Sequence, residues 1–224
     1  MLEISSNQVY SETYKALRSL GIDWGIAKDS ANLCKWLAIH NQFFLGSILK
    51  TTDLYKCGNI STSVNYNTYE KPLSSALMGM VLVEYVASKN KTWEGYLNSP
   101  KFMVAAMALI SHEQKSSLEL SDKNHNIIAM TDKEKLYVNL NNLSNTNIYC
   151  ILNVTQKNTN YNIKEFSFSD VSFASKVNEK CWEKLKSMAF DTYVPESDAS
   201  NLALDINLLF NSIILYYIKV RIYT

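Results

Sequence analysis

The apolar residues of this chain change period at Pro100. Upstream of it, Val9, Thr13, Ala16, Leu17 and Leu20 share one helical face, and Trp24, Ala27, Ala31, Cys34 and Ala38 share a second. Downstream, short apolar runs at 102–110, 127–130, 136–140, 147–154 and 165–173 are separated by Asn, Asp, Lys and Ser, and they read as strands. The run at 102–110 equally fits a buried helix, because a short apolar run carries no period of its own. Residues 178–190 return to helical spacing, with Trp182, Leu185 and Ala189 facing inward. Helical and strand patterns that are segregated rather than alternating predict an α+β fold. The expected architecture is an N-terminal helical layer over residues 1–89, an antiparallel sheet over roughly 102–173 and a closing C-terminal helix. Residues 1–200 are expected to form a single α+β domain, with residues 201–224 as an atypical apolar tail.

Local signals sharpen the helical half. Ser5 and Gln8 fit a capping box, and Ile4 with Val9 fits the hydrophobic staple beside it. Gly21 is placed to end the first helix, and Asp23 to cap a second that runs to about His40. The stripe on that second helix is made mainly of small residues, which lets another helix approach closely. A short third helical piece is expected over 42–49, then a polar connector over 51–70. Pro72 suits the first turn of a helix over 73–89, and 93–100 reads as a turn region.

The composition excludes several classes. The formal net charge is +1 and no long run has one sign, so the basic stripe of a nucleic-acid surface is absent from the sequence. Arginine occurs only at Arg18 and Arg221, which weighs against bidentate phosphate recognition. The four cysteines, Cys34, Cys57, Cys150 and Cys181, form no C-x-x-C pair and no zinc spacing with histidine, so no metal site is expected. The opening MLEISSNQ lacks a basic segment followed by an apolar one, so a cytoplasmic protein with reduced thiols is expected. The longest unbroken apolar run of the tail covers only 213–218, well short of the roughly 20 residues of a membrane span.

Familiar catalytic patterns are missing from the sequence. No glycine follows Gly95, no G-x-S-x-G elbow is present, and His112-Glu113 lacks the second histidine of a zinc-protease helix. Of the three histidines, His40 reads as a helix C-cap, His125 as part of a polar turn, and His112 as the one candidate for a site. Cys34 reads as core, and Cys181 sits near a helix start, where a thiol can acidify. The segment 192–200, TYVPESDAS, gathers Tyr193, Glu196, Ser197, Asp198 and Ser200 after a helix. A carboxylate beside hydroxyls there can do acid–base work or hold a cation. The same letters also spell a helix stop at Pro195 and an N-cap for a following helix.

Two of these stretches together resemble a bacterial family described only as domain of unknown function 3726. The early stretch, GIDWGIAKDSANLCKWLA, matches at Trp24, Gly25, Ala27, Trp36, Leu37 and Ala38. The late one matches at Thr192, Tyr193, Pro195, Glu196 and Ser200. The chain departs from the family after Ser200, where Asn201 and an apolar tail replace an arginine and a Gly/Ala-rich acidic ending. A reading-frame shift near residue 201 would produce such a tail. The resemblance implies no activity, substrate or cofactor, because the family has none assigned.

Two classes of function are therefore expected. One is a small-molecule metabolic enzyme or its partner subunit, with Trp24, Tyr193 and His112 binding substrate and Glu196 and Ser200 as catalytic groups, in a pocket between the early hairpin and the late loop. The other is a non-catalytic binding or assembly protein anchored through Trp24 and Trp36.

Overall fold

The computed structural model describes residues 1–40, 42–64, 68–132, 135–139, 147–155, 164–167 and 174–192. The chain opens with strand β1 (Leu2–Ser5) and passes directly into helix α1 (Ser6–Ser19). Ser5 makes the junction. Its hydroxyl accepts from the Gln8 amide at 3.2 Å, and its own amide donates to Gln8 Oε1 at 2.9 Å, completing the capping box. Gly21 takes φ +75°, a left-handed turn that a Cβ would strain. Asp23 then caps α2 (Trp24–Ile39) by accepting from the Gly25 amide at 2.8 Å. The small-residue stripe of α2 is buried, and α1, α4 and α5 all pack on this helix.

The remaining elements are α3 (Leu45–Lys56), β2 (Leu73–Ser74), α4 (Ser75–Lys89), β3 (Trp93–Asn98) and α5 (Lys101–Gln114). They are followed by β4 (Ser117–Asp122), β5 (Ile127–Asp132), β6 (Lys135–Val138), β7 (Ile148–Val154), β8 (Lys164–Ser167), β9 (Ala174–Val177) and α6 (Glu179–Phe190). The main sheet has the order β2-β3-β7-β4-β5-β6-β8. Among the described strands of this sheet only β2 and β3 run parallel, joined through α4 in a βαβ unit, and the other pairs are antiparallel. Strands β1 and β9 pair separately, Leu2 opposite Val177.

The layers are stacked by burial. Helices α4 and α5 lie on the sheet, α2 lies on α4 and α5, and α1 joins α2 to α6. Phe102, Met103 and Met107 of α5 are fully buried, as are Leu118, Leu120, Ile128 and Leu152 of the sheet. Their apolar area is the main source of stability, at about 25 cal/mol per Å² removed from water. The α+β class, the helical layer on an antiparallel-rich sheet and the closing helix α6 are as expected from the sequence. Trp182, Leu185 and Ala189 all face inward.

Several boundaries differ from the sequence reading. The run at 102–110 is helix, not strand: α5 is covered by the sheet on one side and by α2 and α4 on the other, which erases its period. Residues 93–98 form β3 rather than a turn, so the sheet begins at Leu73 instead of Phe102. Ser99 turns with φ +55°, and Pro100 becomes the N-cap of α5. Pro72 does not start a helix; a two-residue strand intervenes and Ser74 caps α4. The third helix runs over Leu45–Lys56, into the expected connector. Strand β8 covers part of the expected 165–173 run, whose remainder lies outside the described residues. Among the described residues no helix is long and apolar enough to cross a membrane.

Candidate functional site

His112 lies near the end of α5, one turn after Leu109 and beside Glu113. The i, i+3, i+4 spacing puts these three on one face. On α2, Asn32, Lys35, Trp36 and Ile39 repeat the same spacing. The two faces meet beside Met80 of α4 and enclose an open cavity of about 480 Å³. Trp36 is nearly buried and its ring lies 4.2 Å from that of His40, centroid to centroid. Asn32 and Lys35 are half-buried, while His112 and Glu113 are exposed. The Lys35 ammonium donates to Asn7 Oδ1 at 3.0 Å, and among the described residues it makes no ion pair. An imidazole, a carboxylate, an ammonium and an amide thus surround one concavity with apolar walls. Such a set can hydrogen-bond a small polar molecule and fix its orientation.

The other residues expected from the sequence fall out differently. Trp24 is the first residue of α2 and is 64% exposed, but it does not line this cavity. Tyr193, Glu196 and Ser200 lie outside the described residues; the chain is described as far as Thr192, whose hydroxyl donates to the Ala189 carbonyl. Trp36 is not the exposed anchor the sequence suggested, because α2 is an inner helix with three helical neighbours. His40 occupies the C-cap of α2 as expected, and it is buried. His125 sits exposed in the turn between β4 and β5 with φ +59°. Burial pushes the Cys34 thiol up to about 12, partly opposed by the Thr13 hydroxyl, so it is protonated and inert. Burial does the same to Cys150, with the Asp122 charge adding to the effect. Among the described residues no group of His, Cys, Asp and Glu could hold a metal ion.

A second cavity, of about 740 Å³, was not legible in the sequence. Glu3, Phe43, Phe44, Lys176, Val177 and Cys181 are among its lining residues. Three distant stretches meet there because β1 pairs with β9, and no local pattern announces that pairing. Phe43 is 85% exposed at this cavity.

Comparison with protein-family models, with curated proteins and with solved structures finds no match to this chain.

Proposed function

We propose that the chain is a small-molecule-binding protein of metabolism, an enzyme or its partner subunit, that takes its ligand in the α2–α4–α5 cavity. One observation carries the reading: His112, Glu113, Lys35 and Asn32 line the same concavity as Trp36. In this reading Lys35 holds an anionic group of the ligand, Trp36, Met80 and Leu109 cover its apolar part, and His112 with Glu113 exchanges protons or hydrogen bonds at the mouth. The four cysteines are unpaired, in keeping with a reducing, cytoplasmic setting. Membership of the family that the two sequence motifs resemble is part of the same proposal and adds no chemistry to it.

A thermal-shift screen against metabolites tests it. A ligand at a hundred times its dissociation constant adds about 2.7 kcal/mol of stability, and each kcal/mol raises the Tm of a chain this size by roughly 2–4 °C. The gain should be lost in His112→Ala and in Lys35→Met. Compounds that stabilise wild type and both variants equally bind elsewhere and end the proposal, as does a screen without any such compound.

A second reading, an assembly protein, rests on the exposure of Trp24. A mass measurement by light scattering on wild type and Trp24→Ala decides it: assembly through Trp24 predicts an oligomer that the variant loses.

A further inference from the structure

The 740 Å³ cavity beside the β1–β9 ladder falls within the roughly 300–1,000 Å³ of small-molecule pockets. It shares no lining residue with the His112 cavity. Its walls are fixed by bonds that need no ligand. On the α2–α3 side the Gln42 amide donates to the Leu37 carbonyl at 2.8 Å, and the Phe43 carbonyl accepts from the Lys101 ammonium at 2.9 Å. The Phe44 carbonyl accepts from the Ser47 and Ile48 amides at 3.0 and 2.9 Å. Phe43 is therefore held on both sides, and its ring is 85% exposed on a fixed backbone. On the other side the Ser175 hydroxyl ties β9 to the Ala38 carbonyl, and the Asn178 side chain caps α6 at the Cys181 amide at 3.1 Å. A large aromatic ring kept in solvent beside Phe44, Leu45 and Val177 is an apolar wall that a ligand could cover.

The same cavity carries two opposite charges. Glu3 of β1 and Lys176 of β9 stand directly opposite each other in the ladder, and both line the cavity. Opposed residues of an antiparallel pair have Cβ atoms about 4.5–5.5 Å apart, so a carboxylate and an ammonium there are within reach of each other. Among the described residues no ion pair joins them, and none involves either. Both side chains are exposed, so each keeps its charge at neutral pH at little cost. A negative and a positive group thus sit side by side, unjoined, over walls that are mainly aromatic and aliphatic.

We propose that this cavity binds a small zwitterion with an apolar side chain, an apolar α-amino acid, with its ammonium at Glu3, its carboxylate at Lys176 and its side chain against Phe43, Phe44, Leu45 and Val177. An α-amino acid carries its two charges on one carbon, which suits two counter-charges on facing residues of neighbouring strands. A ligand with one charge would leave the other member of the pair uncompensated. Covering Phe43 removes apolar area from water, which adds affinity that the charges alone do not supply. The site is independent of the His112 cavity.

The test is a calorimetric titration of the whole chain with L-phenylalanine and with L-leucine, each beside its N-acetyl form, which has lost the ammonium, and its amide, which has lost the carboxylate. The proposal expects saturable binding of at least one of the two amino acids; phenylalanine alone marks an aromatic ligand, leucine alone an aliphatic one. Each blocked form should bind about tenfold more weakly, the worth of one hydrogen bond to a charged group. Glu3→Gln should weaken the amino acid and its amide and leave the N-acetyl form unchanged. Lys176→Gln should weaken the amino acid and its N-acetyl form and leave the amide unchanged. Both positions are exposed, so neither change should disturb the fold. The bound amino acid should also slow iodoacetamide labelling of Cys181, which lines the cavity, and not of Cys57, which does not. Absence of saturation with both amino acids, blocked forms that bind as tightly, or affinities unchanged in both variants overturns the proposal. Loss of the response in His112→Ala would place the ligand in the other cavity and overturn it equally.

Discussion

The hydroxyl of Ser175 donates to the carbonyl of Ala38 across 2.5 Å and ties strand β9 to the end of helix α2. Both residues are buried. Removing the hydroxyl takes a donor from a carbonyl that water cannot easily reach. Ser175→Ala should therefore cost about 1–2 kcal/mol. Equilibrium denaturation measures this, and an unchanged midpoint would mean the bond adds nothing net.

Gly95 is the tight point of the sheet edge. A Cβ built there would overlap the Thr68 hydroxyl and touch the Trp93 ring at 3.0 Å. That hydroxyl already accepts from the Tyr96 amide at 3.1 Å, so it has little freedom to move aside. Gly95→Ala should destabilise by about 1–3 kcal/mol, as overpacking does. A melting temperature equal to wild type would show that the 68–70 stretch yields without cost.

The thiols should separate by reactivity. Cys57 is exposed, whereas Cys34 and Cys150 are buried with thiols pushed up to about 12. Under native conditions iodoacetamide should label Cys57 first and reach Cys34 and Cys150 only at the rate of unfolding. Peptide mass spectrometry reads the order, and labelling of Cys34 as fast as Cys57 would contradict the packing of α2.

Acid should weaken the β4–β5 turn. The Asn126 side-chain amide, with the Asn126 and Asn124 backbone amides, holds the Asp122 carboxyl below its usual range. A depressed folded-state value means that the stabilisation is complete above the unfolded carboxylate value of about 3.9 and is lost as pH falls through the folded one. The stability gap between wild type and Asp122→Ala should thus be present at about pH 7 and shrink below about pH 4. A gap that stays constant with pH would remove Asp122 as its cause.

Local signals were easiest to read where the residue that starts an element is also the one that holds it. Ser5 and Asp23 each name their helix because a short polar side chain meets a backbone amide two or three residues on. α5 was harder, because a helix buried on every side loses the alternation that would distinguish it from a strand. Strand β3 was hidden by Gly95 and Asn98, which interrupt its apolar face. The candidate site divides in the same way. His112 was legible as an ionisable residue at the end of an apolar run. Its neighbours Lys35 and Asn32 were not, since only the packing of α2 on α5 brings them to it. Glu3 and Lys176 gave no signal at all, because only the pairing of β1 with β9 sets them opposite each other.

The pairing of β1 with β9 sets an order on the birth of this molecule. Leu2 meets its partner Val177, made 175 residues later in synthesis. Until then the leading strand has no sheet partner on either edge. A tag or fusion placed ahead of Met1 would stand beside this late joint, so it would slow maturation more than the same addition at the β4–β5 turn.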